Sequence, residues 1–135
     1  MLLYWERCDS IPTIFIVEDE PSLQSLYQIV LEFHGFEVIG TASNGQEAVN
    51  KFMNFNDKPD VIIMDHRMPV KNGLEASREI LKEDPSVKII IATADMDIEA
   101  EARSLGVASF KPKPFSNERL VRNVKKAINN KLVVY

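Results

Sequence analysis

The amino-acid sequence predicts an α/β domain with a doubly wound parallel sheet of five strands and five helices, in the strand order 2-1-3-4-5. Five short apolar runs alternate with five longer amphipathic stretches, which is the pattern of successive strand–helix units. The third and fourth runs are almost continuously apolar, as central strands covered on both faces are. Because crossovers between parallel strands are right-handed, few topologies remain, and this order is the usual one at this chain length.

The predicted strands are the five apolar runs, four of which are rich in β-branched residues. They cover residues 13–17, 36–40, 61–64, 87–93 and 107–111. Pro112 has no N–H for a sheet hydrogen bond, so the fifth strand is expected at an edge of the sheet. The predicted strand order places it there.

The predicted helices follow the strands. They cover residues 21–34, 44–54, 73–83, 97–105 and about 117–130. Pro21 opens the first helix and Ser116 is a good N-cap for the last. Asn44 stands three residues before Glu47, which resembles a capping box. The apolar spacing of the first helix predicts one buried stripe, formed by Leu23, Leu26, Val30 and Phe33.

Size and charge restrict the possible functions. The 135 residues are enough for one domain with a buried core. The formal net charge of -4 argues against a nucleic-acid binder, which usually carries a basic excess. Cys8 is the single cysteine, so no intramolecular disulfide can form. No apolar run reaches the length of a signal-peptide core or a membrane span, so we expect a cytoplasmic protein without membrane insertion.

Acidic residues follow two strands that the predicted order makes neighbours. Glu18, Asp19 and Glu20 follow the first strand, and Asp65 follows the third. Adjacent strands lie about 4.8 Å apart, so these carboxylates converge at the switch point where such sheets bind ligands. A cation offsets their repulsion, and oxygen ligands favour Mg²⁺. Any one of these carboxylates alone would more simply be a solvated helix cap, but the combination favours a metal site.

Two further strand ends supply groups for an anionic ligand. Thr93 ends the fourth strand with a hydroxyl, and Lys113 follows the fifth with an ammonium. A carboxylate nucleophile, a metal ion, a hydroxyl and a lysine suit phosphoryl transfer, because the cations offset charge on the group that the carboxylate attacks. No set of histidine and cysteine ligands indicates zinc.

With these residues in this order, the sequence resembles the receiver domain of two-component response regulators over residues 12–130. The resemblance rests on residues 16–20, 64–69, 72–73, 93–94 and 113–115. It implies a flavodoxin-like fold and a single-domain signalling module of the chemotaxis-regulator type, rather than a dedicated enzyme. Residues 1–11 are then an N-terminal extension and residues 131–135 a C-terminal tail, with no output domain.

The resemblance implies roles for individual residues. Asp65 would accept a phosphoryl group from a histidine kinase or a phosphotransfer protein. Thr93 and Lys113 would contact the phosphoryl oxygens. The implied Mg²⁺ ligands are Glu18, Asp19, Asp65 and, through its backbone carbonyl, Arg67.

The same resemblance implies a conformational switch. On phosphorylation Thr93 would move toward the phosphate, and Phe110 would turn inward to fill the space that it leaves. From the sequence alone, a static core position stays open for Phe110. The peptide bond between Lys113 and Pro114 would be cis, which X-Pro bonds allow at low cost.

The sequence departs from the commoner family pattern in and around the site. Glu18 stands where an aspartate is commoner, and its longer side chain would reach Mg²⁺ through water. Arg67 and Asp95 each lie two residues beyond a site residue and carry opposite charges. We hypothesise that they pair across the opening and hinder the water that hydrolyses the acyl phosphate. Two independently solvated charges are the alternative.

A partner protein is expected to read the phosphorylated state, since no output domain follows the last helix. The expected contact surface is helix 4, strand 5 and helix 5. Helix 4 is acidic and helix 5 is basic, so this surface also allows a symmetric homodimer. The apolar residues 2–5 and 132–135 are expected to dock on the chain itself or on a partner.

Three other functions fit parts of the pattern. A phosphatase of the haloacid-dehalogenase type also attacks with a strand-end aspartate, but it needs a second aspartate where Arg67 stands. A flavin-binding protein shares the topology, but the acidic residues after the first strand would repel a flavin phosphate. An unphosphorylated adaptor would keep only the fold, whereas the full set of site residues is present in this chain.

Overall fold

The computed structural model describes residues 11–132, in which five strands alternate with five helices. The strands are β1 (Thr13–Val17), β2 (Glu37–Ala42), β3 (Val61–Asp65), β4 (Lys88–Thr93) and β5 (Ser109–Pro112). The helices are α1 (Pro21–Phe33), α2 (Gly45–Asn54), α3 (Gly73–Glu83), α4 (Glu99–Leu105) and α5 (Asn117–Leu132). Within this part of the chain, none of the helices is long and apolar enough to cross a bilayer. The expected docking of residues 2–5 and of the last residues lies outside the described side chains.

The five strands form one parallel sheet in the order β2-β1-β3-β4-β5. The predicted fold, a parallel sheet of five strands with five helices in this order, is confirmed. All five residues of the central strand β3 are buried, because neighbouring strands cover its edges and helices cover both faces. The order reverses between β1 and β3, which is where a ligand site is expected.

Each face of the sheet carries its own apolar core. On one face, Phe15 and Val17 of β1 pack with residues of α2 and α3. On the other face, Ile14 and Ile16 of the same strand pack with residues of α1 and α5. Successive residues of a strand point to opposite faces, so one uninterrupted apolar run serves both cores.

The predicted buried stripe of α1 is wrong at two of its four positions. Leu26 is 41% exposed and Phe33 is 84% exposed. Tyr27 and Leu31 are buried instead, and they pack in the core beside two half-buried members of the predicted stripe, Leu23 and Val30. The observed and the predicted stripes both fit a helical period, so apolar spacing alone did not determine which side of α1 faces the sheet.

Several element boundaries also differ from the prediction. β2 extends to Ala42 and β5 begins only at Ser109. α4 is two residues shorter than predicted, because Met96–Ile98 form a 3₁₀ turn before it. As its proline predicts, β5 lies at an edge, where Pro112 stands opposite Thr93 at the end of the pairing with β4.

Candidate functional site

Four strands deliver the predicted site residues to one edge of the sheet. Asp65 is the last residue of β3 and Thr93 the last of β4. Glu18 and Asp19 directly follow β1, and Lys113 directly follows β5. The carboxyl ends of parallel strands share one edge, and a crevice opens there between β1 and β3. The fold thus brings together Glu18 and Lys113, which are 95 positions apart in the chain.

Lys113 joins the carboxylates of the two central strands. Its ammonium donates to Oε1 of Glu18 at 2.8 Å and to Oδ1 of Asp65 at 3.4 Å. Glu18 is buried, and its Oε2 accepts the backbone N–H of Glu20 at 3.2 Å. Asp65 is also buried, and its Oδ1 accepts the N–H of His66 at 2.9 Å. These charge-assisted hydrogen bonds offset part of the cost of burying two carboxylates.

The electrostatics of the crevice call for a further cation. Burial, and after it the Glu18 carboxylate, raise the pKa of Asp65 to about 7, while Lys113 acts in the opposite direction. Burial lowers the pKa of Lys113, but its hydrogen bond to Glu18 and the charge of Asp65 outweigh burial, so that pKa is raised. Lys113 therefore remains an ammonium and still does not balance the acidic group. A divalent cation would restore full ionisation of Asp65 at neutral pH.

Three carboxylates are positioned to hold such a cation. One oxygen each from Glu18, Asp19 and Asp65 lies within 4.8 Å of the others. Movement of these side chains would let all three oxygens contact one Mg²⁺ ion, which prefers oxygen ligands. All donors are oxygens, which suits a hard cation rather than zinc. The residues therefore fit Mg²⁺, and the contribution of the Arg67 carbonyl stays a prediction.

Glu20, the third acidic residue after β1, has a different role. It is the N-cap of α1, where its Oε1 accepts the N–H of Leu23 at 2.9 Å and the hydroxyl of Ser22 at 2.6 Å. The hydrogen bond from Ser22, followed by that from Leu23, lowers the pKa of Glu20. Glu20 therefore stabilises the start of the helix, and the group that can hold a metal consists of the other three carboxylates.

The loop after β3 packs so closely on Asp65 that a side chain at Gly73 does not fit. A Cβ at Gly73 would lie 2.0 Å from the backbone oxygen of Asp65. The Gly73 N–H donates to the carbonyl of His66 at 2.9 Å, and Nδ1 of His66 accepts the N–H of Leu74 at 3.3 Å. These contacts fix the backbone that carries Asp65. The sequence analysis gave His66 no role. The pair Asn72-Gly73 by itself indicates only a turn or a helix start, so its contact with Asp65 was not predicted.

The two residues of the implied switch are buried. Thr93 is 1% exposed, and its Oγ1 accepts the N–H of Asp95 at 3.0 Å. Phe110 is 4% exposed and belongs to the same core as Ile91 and Ala102. The ring of Phe110 thus already lies inside the protein. Its inward turn on phosphorylation, and the movement of Thr93, stay predictions.

Arg67 and Asp95 meet at the mouth of the crevice. Nη2 of Arg67 lies 3.2 Å from Oδ2 of Asp95, and the two side chains are 77% and 17% exposed. Together with Asp19, His66 and Asn72 they line an open cleft of about 550 Å³. The structure therefore places the two flanking residues in contact, as hypothesised from their charges, and their effect on hydrolysis stays a prediction.

Comparison with known families accounts for this arrangement. The model of the response regulator receiver domain matches residues 14–125. The chain belongs to this family. The matched segment includes all the site residues described above, and the resemblance seen in the sequence is confirmed.

Relatives and solved structures match the receiver domain over most of its length. The chemotaxis protein CheY of Thermotoga maritima is 37% identical over 115 residues, which are 84% of this chain and 94% of that protein. A receiver domain protein from Clostridium thermocellum has a TM-score of 0.85 at 30% identity, covering 93% of this chain and 100% of that one. The response regulator TrrA from T. maritima, solved in complex with Mg²⁺ and BeF, has a TM-score of 0.78 at 35% identity and covers 87% of this chain and 99% of its own.

Proposed function

We propose that this receiver domain is a phosphorylation switch whose phosphoacceptor is Asp65. The observation that carries the proposal is the position of this carboxylate, buried at the end of β3 beside Lys113 and two further carboxylates that suit Mg²⁺. An Asp65 oxygen attacks the phosphorus of a phosphohistidine on a histidine kinase or a phosphotransfer protein. The P–N bond breaks, the nitrogen keeps the electron pair and takes up a proton, and an acyl phosphate remains on Asp65.

The neighbouring residues stabilise the transferred group. Glu18 and Asp19 hold the Mg²⁺ ion, which when bound supplies positive charge for the phosphoryl oxygens. The ammonium of Lys113, which bridges Glu18 and Asp65, donates a hydrogen bond to one phosphoryl oxygen. The hydroxyl of Thr93, whose oxygen accepts the backbone N–H of Asp95, donates its own proton to another phosphoryl oxygen. The protein in this way assists its own phosphorylation and dephosphorylation and is not a dedicated enzyme. The Mg²⁺–BeF complex of the relative TrrA supports this proposal.

Intact-mass spectrometry after incubation with acetyl phosphate and Mg²⁺ tests the assignment. We expect the wild type to gain the mass of one phosphoryl group and Asp65→Asn to gain none. Asp57→Asn removes an exposed carboxylate outside the site and should react like the wild type. EDTA should abolish the adduct on the wild type. An undiminished adduct on Asp65→Asn, or none on the wild type, would overturn the proposal.

The proposed surface for a downstream partner is formed by α4, β5 and α5, and it is rich in cations. Burial, and then the charges of Arg119, Lys126 and Arg103, lower the pKa of Lys111, so each of these three cations lies close enough to repel Lys111. Phe110 lines the same concavity, of about 190 Å³, as three of these four side chains. A partner seated there would therefore lie beside the residue that the switch is proposed to move.

The carboxylates of α4 are already engaged within the chain. Glu99 lies 3.0 Å from Arg103, and Glu101 lies 3.0 Å from Arg78 of α3. A symmetric dimer that pairs acidic α4 with basic α5 would have to give up these contacts. An acidic segment of another protein would not, so we propose such a partner ahead of a homodimer.

Peptide binding tests the charge of the partner. A labelled glutamate-rich peptide should bind the beryllofluoride-treated protein by fluorescence anisotropy, and a lysine-rich peptide of equal length should not. Lys126→Glu should weaken binding, whereas Lys82→Glu, at an exposed position on α3, should not. Equal binding of both peptides would refute the acidic partner. A doubled mass in sedimentation velocity would favour the homodimer.

A further inference from the structure

An apolar stripe on α1 is exposed in the part of the chain that the structure describes. Leu26, Ile29 and Phe33 are 41%, 66% and 84% exposed. Their spacing places them on one side of the helix. Single exposed apolar residues are ordinary, but adjacent ones mark a surface that another segment covers. These three residues are called the α1 stripe below.

The composition of α1 supports a covered stripe. Among the 13 residues of this helix, Glu32 is the single charged one. The other side of the helix buries Tyr27 and Leu31 in the core. Gln24, Ser25 and Gln28 make one face of α1 polar, so the stripe extends the apolar face of this helix beyond the part that the sheet covers. The stripe therefore calls for an apolar occupant.

The N-terminal segment joins the described structure close to the Phe33 end of the stripe. The carbonyl of Pro12 accepts the N–H of Glu37 at 3.0 Å, and Ile11 is itself 55% exposed. The backbone from Phe33 to Glu37 spans at most about 15 Å between the two Cα atoms. An extended backbone from Ile11 back to Trp5 can span about 20 Å. Trp5 can therefore reach the stripe without any change in the fold.

We propose that residues 2–5, Leu-Leu-Tyr-Trp, pack on the α1 stripe and cover it within the same molecule. The segment offers four large apolar side chains and no charge to a stripe that is itself uncharged. Glu6, Arg7 and Asp9 lie in the connecting residues, where they can remain hydrated. Residues 133–135 offer fewer large side chains and a shorter reach after α5, so the N-terminal segment is the better occupant.

Trp5 fluorescence tests this proposal, since the chain has one tryptophan. In the full chain, without Mg²⁺ or phosphodonor, Trp5 should emit at shorter wavelength than in a peptide of residues 1–10. It should also be less accessible to acrylamide. The double substitution Ile29→Ser and Phe33→Ser should return both properties to those of the peptide. Met53→Ser, which changes an exposed apolar residue of α2, should leave them unchanged.

Each other outcome overturns the proposal. Emission like that of the peptide would show that the segment is not packed. A blue shift that survives the double substitution would show that Trp5 packs elsewhere. A blue shift that disappears on dilution, together with a doubled mass in sedimentation, would assign the stripe to a second copy. Circular dichroism verifies that the variants remain folded. Failure of Asp65 to accept phosphate would leave these results unaffected, so the two proposals can be judged separately.

Discussion

Asp65→Asn should stabilise the protein in the absence of Mg²⁺, and the gain should grow with pH. Burial and the Glu18 carboxylate raise the pKa of Asp65 from its ordinary 3.8 to about 7. Between these values the folded protein keeps a proton that the unfolded chain releases, so the free energy of unfolding falls as pH rises. The slope is about 1.4 kcal/mol per pH unit. Over roughly three units, ionisation of Asp65 costs on the order of 4 kcal/mol, which asparagine removes.

The surroundings of Asp65 indicate that this gain is not cancelled by a new unpaired charge. In the variant, Lys113 keeps its partner Glu18, which it contacts at 2.8 Å. Structural relaxation and water entry reduce the cost of ionising Asp65. We therefore expect the free energy of unfolding of Asp65→Asn to exceed that of the wild type by at least about 1 kcal/mol near pH 8 and by almost nothing near pH 4. Mg²⁺ should narrow the difference in the free energy of unfolding between the variant and the wild type, because a cation bound at the intact site stabilises the wild type.

Urea unfolding in EDTA at several pH values, followed by circular dichroism, measures this effect. Asp57→Asn, at an exposed position, is the control and should shift stability little at any pH. Lower stability of Asp65→Asn than of the wild type near pH 8, or an equal gain at both ends of the pH range, would show that ionisation of Asp65 does not destabilise the folded protein.

Three further substitutions test other parts of the structure, and a fourth, Gly106→Ala, is a control for the first. Gly73→Ala should slow phosphorylation and destabilise the fold by about 1–3 kcal/mol, since the added Cβ would lie 2.0 Å from the backbone oxygen of Asp65. Gly106→Ala, strained only by its φ of +98°, should destabilise the fold without slowing phosphorylation measured by intact mass. Ser77→Ala should stabilise by about 1 kcal/mol in urea unfolding, because this buried hydroxyl has no hydrogen-bond partner among the described residues; a loss of stability would count against this. Arg67→Ala should speed dephosphorylation at most about fivefold, since its exposed pair with Asp95 is worth up to about 1 kcal/mol. An unchanged rate would remove the hindering role of the pair.

The sheet and the site could be predicted because they depend on strong, local signals. Continuous apolarity identifies the central strand β3, and a parallel order places the ends of neighbouring strands together. The residues Glu18, Asp65 and Lys113 therefore meet as the order requires, at hydrogen-bonding distance. The ion pair of Arg67 and Asp95 follows from the same geometry, since both residues lie just beyond strand ends.

The features that could not be predicted depend on packing in three dimensions. In α1 the polar residues Gln24, Ser25 and Gln28 leave a wide apolar arc, and the helical period does not show which part of that arc faces the sheet. Tyr27 and Leu31, rather than Leu26 and Phe33, face the sheet. The contact of Gly73 with the backbone of Asp65 joins atoms whose distance no sequence pattern encodes.

Chemical mapping of the phosphoryl group tests whether Asp65 is the phosphoacceptor. Sodium borohydride reduces an acyl phosphate of aspartate to homoserine, and fragment spectra of the tryptic peptide of residues 52–67 distinguish Asp65 from Asp57 and Asp60. After incubation with acetyl phosphate and Mg²⁺, we expect conversion at Asp65 and at neither of the other two. Conversion at another acidic residue of the chain, with Asp65 intact, would contradict this expectation.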